Sequence, residues 1–476
     1  MSALPANEIA DLTANDLVAL YRRREISPLE VMRDVLARIE RYNPAVNAFV
    51  MIDPDGALAS AQQSEQRWRK DEPAGPVDGV PITIKDNIWV AGWPTRKGSL
   101  TTDDEAAPAD APAVARLRES GAVILGKTTL PEFGWIGVCH SPLTGVTRNP
   151  WNLDRTTGGS SGGAAACALL NLGPLHLGTD GAGSIRIPAA FTGVFGIKPS
   201  YGRVPAYPAS PFSILAHQGP LTRTVTDAAL MLSVIARPDE RDMTAWNTPA
   251  PDFHATIGDG VRGLRLAWSP RLGYVVDLHP EIEAATSAAA RVFADLGAVI
   301  EEADPDLRDS VKMIATIWES VSSTIVDGVA GPERAKMDEG FRRIAEDGSR
   351  YGLADYLAAY NSRADLAGKM NAFHRRYDLL LTPQMPLPAF QAGRIRPPDG
   401  RYGENWIEWS PYTYPFNLTQ QPAASVPCGF TTDGLPIGLQ IVGRRGEDDL
   451  VLRAARAFEA ARPFVTLGAP RIAALA

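Results

Sequence analysis

Apolar positions along the chain alternate between two periods. After Ser27-Pro28-Leu29-Glu30, a capping box with proline at its first helical position, Leu29, Met32, Val35, Leu36, Ile39 and Tyr42 recur at helical spacing. This predicts the second of two N-terminal helices, stopped by Asn43-Pro44. At Pro81-Ile-Thr-Ile-Lys85 the period falls to two between Gly79 and Asp86-Asn87, which predicts a short strand ending in Lys85. A helix over about 111–119, a strand over 122–125, an apolar helix over 164–172 and a strand over 175–178 continue the alternation of a layered α/β sheet.

Beyond residue 230 the alternation persists, with a helix over 281–296 and short strands over 264–268 and 379–381. Residues 424–430 and 437–442 flank Asp433-Gly434 as a hairpin, and Leu450, Val451, Ala454, Ala455 and Phe458 mark a last packed helix. At about 150 residues per domain the length would allow three domains. No linker, repeat or charge block divides the 476 residues, so the expectation is one domain over 1–476, with an elaborated helical second half at about 230–420.

Composition narrows the chemistry. A net charge of −8 offers no cationic field for a polyanion, so neither nucleic acid nor an anionic membrane is an expected partner. Cys139, Cys167 and Cys428 form no C-x-x-C pair, and the six histidines form no H-E-x-x-H, so no metal or cofactor is expected and a reducing, cytoplasmic setting fits. The opening MSALPANEIADL shows no basic-then-apolar export pattern. Between Thr156 and Thr179 there is no charged side chain, yet six glycines and Pro174 argue against a membrane span.

That uncharged segment holds the candidate chemistry. Gly158-Gly-Ser160-Ser161-Gly-Gly163 precedes, by 24 positions from Ser160, Ser184 in Gly178-Thr-Asp-Gly-Ala-Gly-Ser-Ile-Arg186. Glycine-rich loops bring backbone N–H groups close to a substrate and can hold an oxyanion. A phosphate loop would need a lysine after Gly163, and S-x-x-K occurs nowhere in the chain. A flexible linker would not be capped directly by an apolar helix. G-x-S-x-G at 158–162 also satisfies the nucleophile elbow, which would make Ser160 the nucleophile of an esterase; elbows follow a strand, whereas 149–157 reads as a polar loop.

Together, 79–87, 158–163 and 178–188, with Asn149-Pro-Trp151, Gly196–Arg203 and Gly219–Thr222, closely resemble the amidase signature family over about residues 5–465, most densely from 75 to 225. The resemblance implies an α/β fold: a single large domain with a mixed, mostly parallel/antiparallel twisted central sheet covered by helices on both faces. It implies a Ser–Ser–Lys triad with Ser184 as nucleophile, Ser160 as a bridging serine on a cis peptide bond, and Lys85 as base. The backbone of Gly181, Ala182, Gly183 and Ser184 would form the oxyanion hole, with Ala182 where the family usually has glycine. Ser161, Asp180 and Arg186 would support the loops, and Gly134, Trp135 and Thr179 would contact substrate.

Lysine serves as a base only when neutral, which asks its environment for roughly 4 kcal/mol at 1.36 kcal/mol per pKa unit. An uncharged surrounding segment would supply that by keeping carboxylates away. The uncharged, proline-punctuated stretch 205–222 suits a pocket lining for an apolar or aryl group. The expected reaction is hydrolysis of a small-molecule amide, or a carbamate (urethane), by a monomer or homodimer. The alternative within the family is the catalytic subunit of a tRNA-dependent amidotransferase.

Overall fold

The computed structural model describes residues 11–466 together with Ile9 and Leu475; the opening residues read for an export signal lie largely outside them. Eleven strands form one sheet: β1 (Phe49–Ile52), β2 (Pro81–Lys85), β3 (Val123–Thr128), β4 (Leu175–Asp180), β5 (Phe195–Lys198), β6 (His217–Thr222), β7 (Arg265–Trp268), β8 (Val299–Glu302), β9 (Leu379–Pro383), β10 (Ala423–Phe430) and β11 (Pro436–Gly443). Their spatial order is β1-β3-β2-β4-β6-β5-β10-β11-β9-β7-β8. The trios β3-β2-β4 and β9-β7-β8 are parallel inside, and the other neighbours are antiparallel. The sheet is thus mixed, as expected.

Alternation of side chains across each strand separates two cores. Ile82, Ile84, Leu175 and Leu177 pack with helices Pro112–Glu119, Val225–Ile235, Pro280–Asp295 and Asp448–Ala461. Val123, Leu125 and Leu221 pack on the other face with helices Ala14–Arg23, Pro28–Val46, Pro54–Arg69 and Gly162–Leu170. A third cluster, rich in aromatic rings, joins helix Ser310–Asp327 to segment 402–418 over the first loops. Since Ile82 and Ile84 take the first face, Thr83 and Lys85 point to the second, toward helix Gly162–Leu170.

Three boundaries differ from the expected ones for local reasons. Helix Pro28–Val46 carries Pro44 in its last turn, where proline removes a single backbone bond, and ends instead at Asn47, a left-handed residue whose amide reaches the Asn43 carbonyl at 2.7 Å. Helix Gly162–Leu170 starts two residues early, at the glycines, and stops at left-handed Asn171. Residues 152–156 are not loop but a short strand paired with Arg148–Asn149, outside the main sheet.

Helix Gly162–Leu170 is buried at every position, and its glycines are what admit it. A Cβ on Gly163 would lie 2.5 Å from the Ala48 carbonyl oxygen and 2.6 Å from the Thr129 nitrogen, both backbone atoms that cannot turn aside. Alanine gains about 1 kcal/mol in helix propensity over glycine, while overpacking a rigid contact costs about 1–3 kcal/mol or more. Gly163→Ala is therefore expected to be net destabilising, read as a lower urea midpoint with an unchanged slope; an unchanged or raised midpoint would contradict this packing.

Candidate active site

Parallel pairing puts the C-terminal ends of β2 and β4 side by side, with Ile84 opposite Leu177, so Lys85 emerges beside Gly178 and Thr179. Its ammonium nitrogen is fully buried and meets three hydroxyl oxygens: Ser160 Oγ at 2.6 Å, Thr179 Oγ1 at 2.8 Å and Ser161 Oγ at 3.0 Å. Burial lowers Lys85 from the ordinary lysine value to about 7, against weaker opposing fields from Cys139 and Asp180.

Two carboxylates close to the site are spent elsewhere. Asp86 is turned onto buried Lys127 at 2.8 Å. Asp180 is taken by Arg186, through Nε at 3.0 Å and Nη2 at 3.0 Å. Lys85 is thus left with hydroxyls alone.

Ser160 sits at the turn between the 152–156 strand and helix Gly162–Leu170, and the Gly159–Ser160 peptide is cis. A Cβ on Gly159 would lie 2.2 Å from the Val138 carbonyl oxygen, so no larger residue fits that turn. Ser161 donates its hydroxyl to the Thr179 carbonyl at 2.9 Å, and its amide to the Ser184 carbonyl at 3.0 Å, which ties the two glycine loops together.

The loop carrying Ser184 is built on the Asp180 carboxylate, which accepts from the amides of Gly183 at 2.7 Å and Ile185 at 3.1 Å. Burial opposes that charge, but Arg186, Lys198 and Asn417 overcome it and hold the carboxyl well below the usual carboxylate range. The Gly183 amide is consequently engaged, a correction to the expected donor set; among the described residues the amides of Gly181, Ala182 and Ser184 have no protein acceptor. No hydrogen bond joins Ser184 Oγ to Ser160 among the described residues.

Arg186 reaches far beyond the loop. Its Nη1 donates to the Thr413 carbonyl at 2.9 Å and to Gln440 Oε1 at 2.8 Å, and its Nη2 to Asn417 Oδ1 at 2.6 Å. Asn417 in turn donates to the Asp180 carbonyl at 3.0 Å. These three partners escaped the sequence reading, since each lies more than 220 residues away with no motif to mark it. Asn87, also missed in this role, donates to Thr179 Oγ1 at 3.1 Å.

A cavity of about 160 Å³ opens on Ser160 and Ser184 and is lined by Gly134, Thr179 and Gly181 together with residues of the 206–218 stretch. Phe212 stacks on Trp318 with ring centres 3.9 Å apart, and Trp89, Phe133 and Ile325 complete an apolar wall. Trp135 was expected at the mouth; instead its ring stacks on Phe341 outside the lining, and its carbonyl accepts from Trp318 Nε1 at 3.0 Å. Thr179 lines the cavity but spends its hydroxyl oxygen on Lys85 and Asn87.

No histidine here suits a general base. His176 is held at both ring nitrogens, by Thr83 and by the Gly173 carbonyl, and burial lowers it to about 3. His217 lines the cavity, donates from Nδ1 to the Leu215 carbonyl at 2.7 Å, and burial with the Lys198 charge keeps it neutral. Among the described residues no group of three or more His, Cys, Asp or Glu is placed to hold a metal, and no helix is long and apolar enough to cross a membrane.

Known proteins agree with this architecture. The family model described as Amidase matches residues 30–452. An acylamidase of Rhodococcus erythropolis is 38% identical over 460 residues, covering 95% of this chain and 96% of that protein. A glutamyl-tRNA(Gln) amidotransferase subunit of Myxococcus xanthus is 39% identical, covering 97% and 100%. Among solved structures, a bacterial aryl acylamidase of the amidase signature enzymes superposes with a TM-score of 0.88 at 33% identity, covering 95% and 96%. A substrate complex of 6-aminohexanoate cyclic dimer hydrolase gives 0.85 at 28%, covering 96% and 98%. With a family model spanning most of its length and near-full-length relatives above 35% identity, the chain belongs to the amidase (amidase signature) family.

Proposed function

We propose that this chain hydrolyses the carbon–nitrogen bond of a small apolar or aryl amide through an acyl-enzyme on Ser184, with Ser160 and neutral Lys85 as proton relay. The observation that carries the reading is the buried Lys85 amine, ringed by three hydroxyls and lacking a carboxylate partner.

A neutral amine has two N–H donors and one lone pair. Ser161 already donates to the Thr179 carbonyl and so accepts from Lys85, and we assign the second Lys85 N–H to Thr179 Oγ1, which also accepts from Asn87. That leaves the lone pair for the Ser160 hydroxyl. As Ser184 Oγ attacks the carbonyl carbon, its proton passes to Ser160 while the Ser160 proton passes to Lys85 Nζ. The free amides at 181, 182 and 184 hold the oxyanion. The relay then runs backwards to protonate the leaving nitrogen, the C–N bond breaks, and water attacks the ester by the same route. Because the pocket wall is apolar and aromatic, aryl amides are favoured, and an aryl carbamate presents the same carbonyl.

The likeness to glutamyl-tRNA(Gln) amidotransferase subunits supports a second reading, glutamine hydrolysis inside a complex. Ammonia release from glutamine only when partner subunits and charged tRNA are added would establish it in place of the first.

Ser184→Ala is expected to abolish turnover of 4-nitroanilides and covalent labelling by a fluorophosphonate. Labelling that survives in Ser184→Ala but is lost in Ser160→Ala would instead make Ser160 the nucleophile. Because Lys85 acts in its deprotonated form and sits near 7, kcat/KM should fall about tenfold per unit as pH drops below about 7 and level off above it. A profile flat down to pH 4 would rule out the lysine base.

A further inference from the structure

Among the described residues that line the cavity, Lys97 is the one lysine, and no arginine, aspartate or glutamate joins it there. No carboxylate among the described residues lies within ion-pair distance of it. The acids of its neighbourhood are committed: Asp86 to Lys127 at 2.8 Å, Glu132 to Ser99 Oγ and the Asp338 amide at 2.6 Å each, and Asp104 to Arg96. Lys97 also stands close enough to Lys127 for its charge to oppose protonation there. The cavity therefore presents an uncompensated cation against an otherwise neutral wall.

The backbone fixes the point from which that side chain departs. Lys97 has φ of 52°, a left-handed conformation uncommon for a residue with a side chain. It is pinned on both sides, by its amide to the Asp86 carbonyl at 3.1 Å and by its carbonyl, which accepts from the Phe133 amide at 2.7 Å. Glycine would adopt this turn more readily, as Gly98 does with φ of 67°. An outlier kept at a cavity wall is the kind of feature that function selects.

We infer that Lys97 is a specificity residue that recognises a carboxylate on the substrate, so that the preferred substrate is an amide with an apolar or aryl body and one anionic group. This rests on the amide-hydrolase reading above. The aromatic platform of Phe212 and Trp318 takes the body, and the Lys97 ammonium takes the charge. An ion pair in a partly desolvated cleft gains more than one in water and weakens with added salt.

The test compares butyryl-4-nitroanilide, which is neutral, with glutaryl-4-nitroanilide, charged on the acyl side, and N-butyryl-5-amino-2-nitrobenzoate, charged on the amine side. In the wild type, kcat/KM for one of the anionic anilides should exceed that of the neutral one, and 0.5 M salt should shrink the difference. Lys97→Gln should reduce the anionic-to-neutral ratio about tenfold and Lys97→Glu should bring it below one, with thermal unfolding confirming that both variants fold. The arm that responds shows which side of the scissile bond carries the charge. Turnover of the neutral anilide with an anionic-to-neutral ratio unmoved by Lys97→Glu in both arms would overturn the proposal alone. Turnover of none of the three would overturn it together with the amide-hydrolase reading.

Discussion

The buried pair of Asp180 and Arg186 is the interaction on which the site's shape depends. Both side chains are fully buried, so either charge alone would be costly to hold, and removing one partner of such a pair typically costs about 3–5 kcal/mol. Together they satisfy each other and leave carboxylate lone pairs and guanidinium N–H groups to spare. The remaining lone pairs of the same two oxygens fold the serine loop by accepting from the amides of Gly183 and Ile185; the spare N–H groups reach Thr413, Asn417 and Gln440. A single pair thus sets the loop and clamps it to the second half of the chain.

Three buried basic side chains show how environment chooses a role. Arg186 meets a carboxylate and serves as a structural brace. Lys85 has hydroxyls only, and burial brings it to about 7. Lys198, three residues past the Phe195 start of β5, is held by the carbonyls of Pro199 and Gln421, and burial with the nearby Arg186 charge lowers it well below the ordinary lysine value. The difference between a structural charge and a proton acceptor lies in the partner that each side chain meets, and in which acids have already been neutralised by Lys127 and Arg186.

Much of this was readable in the sequence because it is local. The strand ending in Lys85, the two glycine loops, the hairpin at Asp433-Gly434 and the final helix follow from spacing and turn chemistry. The role of Lys85 came from the family resemblance, which gave the uncharged stretch between Thr156 and Thr179 its purpose around a buried lysine, and the uncharged 205–222 segment suited a cavity wall. What stayed hidden depends on contacts between distant segments. Nothing near Asn417 or Gln440 marks them as partners of Arg186. The engagement of the Gly183 amide depends on where the Asp180 carboxylate turns. The family resemblance placed Trp135 with Gly134 at the mouth, yet its ring stacks on Phe341 outside the cavity lining. The paired strand at 152–156 eluded detection because alternating polar residues on a two-stranded ribbon carry no apolar signature.

The reach of Arg186 across the chain also orders assembly in time. During synthesis Lys85, Ser160 and Ser184 leave the ribosome long before Thr413, Asn417 and Gln440, the last of them 254 residues after Arg186. Until segment 413–418 and β11 are in place, the guanidinium lacks three of its acceptors, and the loop that carries Ser184 lacks its clamp. The nascent chain therefore holds Lys85, Ser160 and Ser184 before the distant segments that brace the Ser184 loop have emerged.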